Sequence, residues 1–163
     1  MPTKENIFVS EQGNEYTFKK LPDGKLWIDG YLREKVDGAV WNEKYNCYMY
    51  TWERALKAVP AGLRLPTARE FLDLCLALGY LKISEERVVN RLIDECGFKM
   101  AGYCIVDNCS LLGQGSSLRV WSCSSYSATD TSTSYGLCAN SSAVNPARGC
   151  DRCFGFGARC IKD

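Results

Sequence analysis

The sequence predicts an α+β fold. Three helix signals fall together in the middle of the chain, and strand signals flank them on both sides. Strands and helices do not alternate, which argues against a parallel sheet built from βαβ units. After Gly102 the character changes to short, polar, Ser/Gly-rich segments with embedded aromatics. Trp121, Tyr126, Tyr135, Phe154 and Phe156 in that stretch argue against a flexible linker, which has no use for large apolar anchors.

The elements follow in order. Ile7-Phe8-Val9 and Tyr16-Thr17-Phe18 are β-prone, Leu21-Pro22-Asp23-Gly24 is turn chemistry, and Lys25-Leu26-Trp27-Ile28 resumes a strand. A first helix starts at Thr51, whose hydroxyl is expected to cap Trp52 to Ala58, and it stops before Pro60. The second helix is the best signalled. Thr67-Ala68-Arg69-Glu70 is a capping box, Phe71, Leu72, Cys75, Leu76 and Leu78 follow at helical spacing, and Gly79 supplies a left-handed stop. A third helix runs from Ser84 as cap through Val88, Val89, Leu92, Ile93 and Cys96 to Gly97. Leu118-Arg119-Val120-Trp121 is a strand entering the core. Phe154, Phe156, Ala158 and Cys160 alternate with Gly155, Gly157, Arg159 and Ile161, which predicts a closing C-terminal strand.

Composition narrows the function. At 163 residues, 46% hydrophobic and 24% charged, the chain fits one globular domain spanning residues 1–163. A net charge of +1 without a Lys/Arg cluster argues against a nucleic-acid partner. No apolar run approaches the ~20 residues of a membrane helix, so no membrane insertion is expected. Met1 to Ser10 lacks a basic segment followed by an apolar one, so no secretory signal is visible; a virion-associated or a cytoplasmic location fits. The absence of histidine removes the commonest general base, the Ser–His and Cys–His nucleophile pairs and the usual imidazole metal ligand. Neither catalysis nor a metal or other cofactor is expected.

The ten cysteines, Cys47, Cys75, Cys96, Cys104, Cys109, Cys123, Cys138, Cys150, Cys153 and Cys160, show no repeated spacing and read mostly as small buried apolar residues. Cys150-x-x-Cys153 is the one CxxC. A zinc site needs about four ligands, and a redox pair sits at a helix N-terminus that lowers a thiol pKa; its polar loop context favours neither. Arg64, in Leu-Arg-Leu-Pro, reads as an ion-pair partner.

Residues Ser122 to Cys160 contain no Lys, Glu, Gln, Met or Trp. Those types fill about a quarter of the preceding positions, so about nine would be expected here. One reading is a tightly packed β region that disfavours long side chains. The other concerns codons: rewriting AAC or AAT codons at their adenines reaches every residue type found in the stretch, and the types out of reach are the ones missing.

The ordered motifs carry a resemblance. Leu21-Pro22-Asp23-Gly24-Lys25-Leu26-Trp27, Tyr50-Thr51-Trp52-Glu53-Arg54-Ala55 and Val59-Pro60-Ala61-Gly62-Leu63-Arg64-Leu65-Pro66-Thr67 resemble stations of FISUMP-type domains of bacterial proteins. Val120-Trp121-Ser122, Tyr126-Ser127-Ala128-Thr129, Ser141 to Pro146 and Gly155 to Asp163 match further stations, so the resemblance covers roughly residues 20–163. It implies a C-type-lectin-like fold: small twisted antiparallel sheets with two main helices, and the Ser84–Cys96 helix as an insertion. Between Pro146 and Gly155, where related chains often carry a run of asparagines, this chain reads Ala147-Arg148-Gly149-Cys150-Asp151-Arg152-Cys153-Phe154. Replaced asparagine codons on a matching frame resemble the variable proteins of diversity-generating retroelements, including receptor-binding proteins of phage.

The resemblance implies a non-enzymatic protein that recognises a protein or cell-surface ligand through a variable region at residues 118–163, with oligomers open. Its ligand-binding positions would be Cys123, Ser125, Tyr126, Asp130, Thr131, Thr133 and Tyr135 on one stretch. Ala147, Arg148, Gly149, Cys150, Asp151, Cys153 and Phe154 would supply the other, with Arg152 left out. Tyr126 reads equally as core. Tyr, Ser and Gly suit such a surface, because aromatics give contact area at low entropy cost and small polar groups adapt. An undiversified FISUMP-type module binding carbohydrate or matrix is the alternative. The related formylglycine-generating oxidases offer an enzyme reading, but their paired catalytic cysteines find no counterpart in the motifs. A calcium lectin site finds only Asn145-Pro146, without the carboxylates it needs.

Overall fold

The computed structural model describes residues 6–105 and 110–163, so Cys109 and the first residues of the N-terminal segment lie outside the described residues. The architecture is α+β, with three helices and several small antiparallel sheets. The first sheet has the order β1 (Ile7–Val9), β2 (Glu15–Lys20), β3 (Leu26–Ile28), β12 (Ile161–Lys162), so the last strand closes onto the third. Ile161 pairs with Trp27 and Lys162 with Leu26. β4 (Val40–Asn42) and β5 (Cys47–Met49) form a hairpin, and β6 (Tyr103–Ile105) pairs with both β7 (Ser110–Leu112) and β11 (Phe154–Gly155). A three-stranded sheet is formed by β8 (Leu118–Ser125), β9 (Thr133–Ala139) and β10 (Val144–Asp151), with β9 in the middle.

Helix α1 (Trp52–Ala58) begins after Thr51, but the Thr51 side chain makes no capping bond, contrary to expectation. Helix α2 (Ala68–Ala77) carries the full capping box: Thr67 Oγ1 accepts from the Glu70 N–H at 3.1 Å, and Glu70 Oε1 accepts from the Thr67 N–H at 3.0 Å. Gly79 ends it with φ +101°, a backbone conformation an L side chain resists. Helix α3 (Glu85–Asp94) is capped by Ser84, whose Oγ accepts from the Arg87 N–H at 3.3 Å.

The apolar faces of α2 and α3 (Phe71, Leu74, Leu78, Val88, Val89, Leu92) bury against Leu118, Val120, Leu137 and Val144 of the three-stranded sheet. The opposite face of that sheet packs into a second cluster around Trp121, Phe156, Tyr50, Cys138 and Cys150. Both faces of β9 are therefore covered, and the alternation of a half-buried strand is lost there: Ser134 and every residue from Gly136 to Ala139 are buried. The residues from Gly155 to Ile161 are likewise all buried, so the expected alternating strand is instead a short β11, a buried crossing segment and β12. Isolated bridges hold that segment and the start of β12: Phe156 to Tyr50, Gly157 to Val120 of β8, and Ile161 to Arg64.

Trp121 and Phe156 stack at 4.2 Å between ring centroids, and the Trp121 Nε1–H donates to the Tyr50 carbonyl at 2.9 Å, which satisfies the polar edge of a buried indole. Arg159 is buried beside Phe98 and Trp27. It donates from Nε to the Ile28 carbonyl at 2.8 Å and from Nη1 to the Cys96 carbonyl at 2.5 Å, and its Nη2 finds no partner among the described residues. Burial lowers its pKa. Cys47, Cys75, Cys96, Cys104 and Cys160 sit inside as small apolar groups, and burial pushes the thiols of Cys47 and Cys75 up to about 12.

Arg64 is an ion-pair partner: it donates to both Glu70 oxygens, at 2.5 and 2.9 Å, and its Nε reaches Asp163 at 2.8 Å. Lys25 Nζ adds a further contact to Glu70 Oε2 at 2.5 Å. Arg64 foremost, with Lys25 and the Thr67 N–H, holds the Glu70 carboxyl well below the usual carboxylate range, against the opposing effect of its burial. A depressed pKa means that the stabilisation is whole above the unfolded value of ~4.3 and drains away as pH falls toward the folded value. Glu70→Gln keeps a capping-box side chain but removes the charge. We expect it to cost about 2 kcal/mol at pH 7, discounted for the partly exposed cations. Urea titrations should show the gap to the wild type closing as pH drops from about 4.5 to 2; a gap independent of pH would contradict the assignment.

Candidate ligand-binding face

Beyond the N-terminus of α2 the β8–β9–β10 sheet runs on into solvent. Here the Cys123 N–H donates to the Pro66 carbonyl at 2.8 Å, and Ser124 Oγ accepts from the Ala68 N–H at 3.0 Å, so the first turn of the helix sets where β8 leaves the core. Past that point Ser125 pairs with Ser134, Tyr135 with Gly149, and Thr133 with Asp151. The register shift between Trp121 and Ser125 bends the outer end of the sheet away from its inner part.

Tyr126 is 51% exposed, which settles its placement outside the core. Its ring lies 5.4 Å from that of Tyr135 at a 45° tilt. Gly149 lies beneath the pair: a Cβ there would sit 3.0 Å from the Tyr126 ring and 3.3 Å from the Thr133 methyl, so a side chain at this position displaces Tyr126. The β8–β9 loop is organised by its own side chains. Ser127 Oγ accepts from the Asp130 N–H at 2.9 Å, and Asp130 Oδ1 accepts from the Ser132 N–H and hydroxyl at 2.8 and 2.7 Å. The Ser132 hydroxyl foremost, with the Ser132 N–H, holds the Asp130 carboxyl below its usual range. A bond from the Cys153 N–H does the same at Asp151. Thr131 is exposed at the loop tip.

The structure thus brings Ser125, Tyr126, Asp130, Thr131, Thr133, Tyr135, Gly149 and Asp151 to one end of one sheet. The remaining predicted positions are elsewhere. Cys123 is half-buried and lines a shallow apolar cavity of 540 Å³ with Leu56, Val59, Leu63 and Leu65, and burial raises its thiol pKa. Ala147 and Arg148 sit at the bulge between Asn145 and Arg148. Cys153 is exposed in the turn after β10, and Phe154 packs edge-on against Tyr103 at 5.9 Å, a framework contact. Cys150 is buried: β10 turns its side chain inward, where its sulfur lies 3.6 Å from that of Cys138. The shared hydrogen bond, then burial, pushes the Cys138 thiol far up. The same bond holds Cys150 down, and Arg148 and Arg119 add to that effect. The CxxC pair is therefore not a unit, because its two members point to opposite environments.

Arg152, left out of the face by the sequence reading, is a framework residue. Its guanidinium lies 4.1 Å over the Trp52 ring, its Nε donates to Ser134 Oγ at 2.8 Å, and Trp52 Nε1–H in turn donates to the Ser122 carbonyl at 2.8 Å. The sequence reading missed Arg119, Cys138, Asn140 and Asn145, which gather around a second cavity of 240 Å³ at the far end of the sheet. A charged residue inside the strand run Leu118-Arg119-Val120-Trp121 was the available signal. Among the described residues no three Cys, Asp or Glu converge in a way that would hold a metal ion, and no helix is long and apolar enough to cross a membrane. Compared with protein-family models, with curated proteins and with solved structures, the chain has no significant match in any of the three.

The face and its support should separate cleanly in stability. Tyr126→Ala and Thr131→Ala are each expected to change the unfolding free energy by about 0.5 kcal/mol or less. Trp121→Ala should cost at least about 3 kcal/mol. Equal losses on denaturant unfolding would mean that the Tyr126 end is part of the core.

Proposed function

We propose that this chain is a non-enzymatic binding protein with a C-type-lectin-like scaffold, whose C-terminal face is diversified by adenine-specific retroelement mutagenesis to recognise variable protein or cell-surface ligands. The observation that carries the reading is a coincidence of two independent properties. The stretch that lacks Lys, Glu, Gln, Met and Trp supplies the solvent-facing end of one sheet, where Tyr126, Asp130, Thr131, Thr133, Tyr135, Gly149 and Asp151 meet.

The physics supports it. Side chains at that end can change without disturbing the Trp121–Phe156 stack or the helix faces, so affinity can vary while folding does not. The tilted Tyr126–Tyr135 pair offers rigid aromatic area, and the Ser/Thr loop offers adaptable hydrogen bonding. Within this reading Cys150 and Phe154 are poor positions for variation, because each is packed against the framework. Ala147, Arg148 and Cys153 extend the variable set along the edge of the sheet.

Sequencing the 3′ end of the gene across a population tests the proposal. The expected result is substitution concentrated after Trp121 at exposed positions, confined to changes reachable from AAC or AAT codons, with a nearby invariant copy and a reverse transcriptase gene. Uniform drift along the gene would sink it and leave the undiversified carbohydrate- or matrix-binding module.

A further inference from the structure

We infer that the 240 Å³ cavity between the β9–β10 hairpin and the start of β8 is a binding site for the carboxylate of a small organic anion or of an acidic side chain. The site lies away from the Tyr126–Tyr135 pair but shares Arg148 with the variable set proposed above, so it belongs to the chain as it reads here; Arg119 precedes the Ser122–Cys160 stretch.

The argument starts from charge. Two arginines, Arg119 and Arg148, line the cavity, and among the described residues no Asp or Glu does. Neither arginine belongs to any ion pair among the described residues. Glu85 of α3 is the carboxylate that touches the wall from behind: its Oε1 accepts from the N–H of the lining residue Val144 at 2.9 Å, and it forms no ion pair with either arginine among the described residues. Placing two like charges around one small cavity without a counter-ion is unfavourable, and an anion between them reverses the sign.

Preorganisation is the second strand. Arg119 is held flat, with its guanidinium carbon 4.0 Å over the Tyr103 ring and 5.7 Å from that of Phe156, and its Nε donates to Ser117 Oγ at 3.1 Å. Among the described residues those contacts engage one nitrogen and one face, which leaves the two terminal nitrogens as a fork suited to a carboxylate. The asparagines on the rim point the same way. Asn140 Oδ1 accepts from the backbone of Ser142 and Ala143 at 2.9 and 2.8 Å, and Asn145 Oδ1 accepts from the Ala147 N–H at 3.1 Å. With their oxygens engaged in turns, both side chains have only amide N–H donors left to offer.

Size and wall chemistry select the ligand class. Ala139, Ala143 and Val144 supply apolar wall, so a carboxylate on a short hydrocarbon body fits better than a fully hydrated inorganic oxyanion. At 240 Å³ the space is below the range of about 300–1,000 Å³ typical of drug-sized ligands. A four-carbon diacid or one Glu side chain is the right scale.

The test titrates the full chain at low ionic strength with succinate, with inorganic phosphate and with a blocked Glu-containing tripeptide, and follows backbone amide shifts. Saturable succinate shifts confined to residues around Arg119, Cys138 to Asn145 and Arg148 are expected, with phosphate at least about tenfold weaker. Arg148→Gln, an exposed change that leaves the core untouched, should weaken succinate about tenfold. Arg119→Gln should weaken it further if the variant folds. Tripeptide binding at the same amides would assign the site to an acidic side chain of a partner, and its failure beside succinate binding to a free acid. Absence of saturation, shifts scattered over the surface, equal binding of phosphate, or an Arg148→Gln variant that binds as the wild type would each overturn the inference.

Discussion

The Glu70 carboxylate is the point at which three parts of the chain are tied. It closes the capping box that starts α2, accepts two bonds from Arg64, and accepts a third from Lys25, which follows the Leu21–Gly24 turn. Arg64 in turn holds Asp163, and its backbone bridges Ile161 in both directions. Helix start, first sheet and C-terminal strand are thereby fixed around one buried charge that its partners keep ionised. The consequence reaches the candidate face, because Pro66 and Ala68, immediately either side of the capping Thr67, hold β8 at Cys123 and Ser124. The tyrosine-bearing end of the sheet hangs from the same turn of helix.

A sheet covered on both faces has little freedom inside and much at its ends. Val120 and Leu137 face the helices, while Trp121, Cys138 and Cys150 face Phe156. A substitution in that interior leaves a cavity or a strained rotamer. The ends escape this constraint for different reasons. One end outruns α2 and carries the tyrosine pair; the other widens at the β10 bulge and opens the Arg119 cavity. The two ends, where the packing runs out, differ in chemistry: aromatic and hydroxyl-rich at one, cationic at the other.

What was legible from the sequence was what depends on local rules. The capping box at Thr67, the Ser84 cap, the glycine stop at Gly79 and the turn at Leu21–Gly24 are specified by neighbours in the chain, and each is present. Arg64 as an ion-pair partner was legible from its apolar flanks. β9 was not, because Ser134, Gly136 and Cys138 alternate with Tyr135, Leu137 and Ala139 in a strand covered on both faces, so neither face stands out as polar. The segment from Gly155 to Cys160 misled by showing an alternation of large and small residues that reflects close approach, not exposure. A Cβ on Gly157 would sit 2.6 Å from the Tyr31 ring. Of the candidate face, the positions came from the family resemblance, and the exposure of Tyr126 and its tilt against Tyr135 were not legible, because they depend on the cross-strand register and on the space left by Gly149. The inward turn of Cys150 was not, since it depends on the register of β10 against β9 and on the bulge before Arg148.

The stretch from Ser122 to Cys160 draws all its positive charge from arginine and all its negative charge from aspartate. Without lysine, each cation there has a planar head that can stack, and the structure uses it so. Arg152 lies over Trp52 and Arg159 over Phe98, with carbonyl or hydroxyl oxygens taking the in-plane bonds. An ammonium in either place would lose the stacked contact and the fixed fork. Short aspartates fold back onto their own turns, as at Asp130 and Asp151, and so shape loops without reaching across to pair with the arginines. A residue alphabet without Lys and Glu thus still builds a framework, and it leaves Arg148, which stacks on no ring among the described residues, exposed on the edge of the Arg119 cavity.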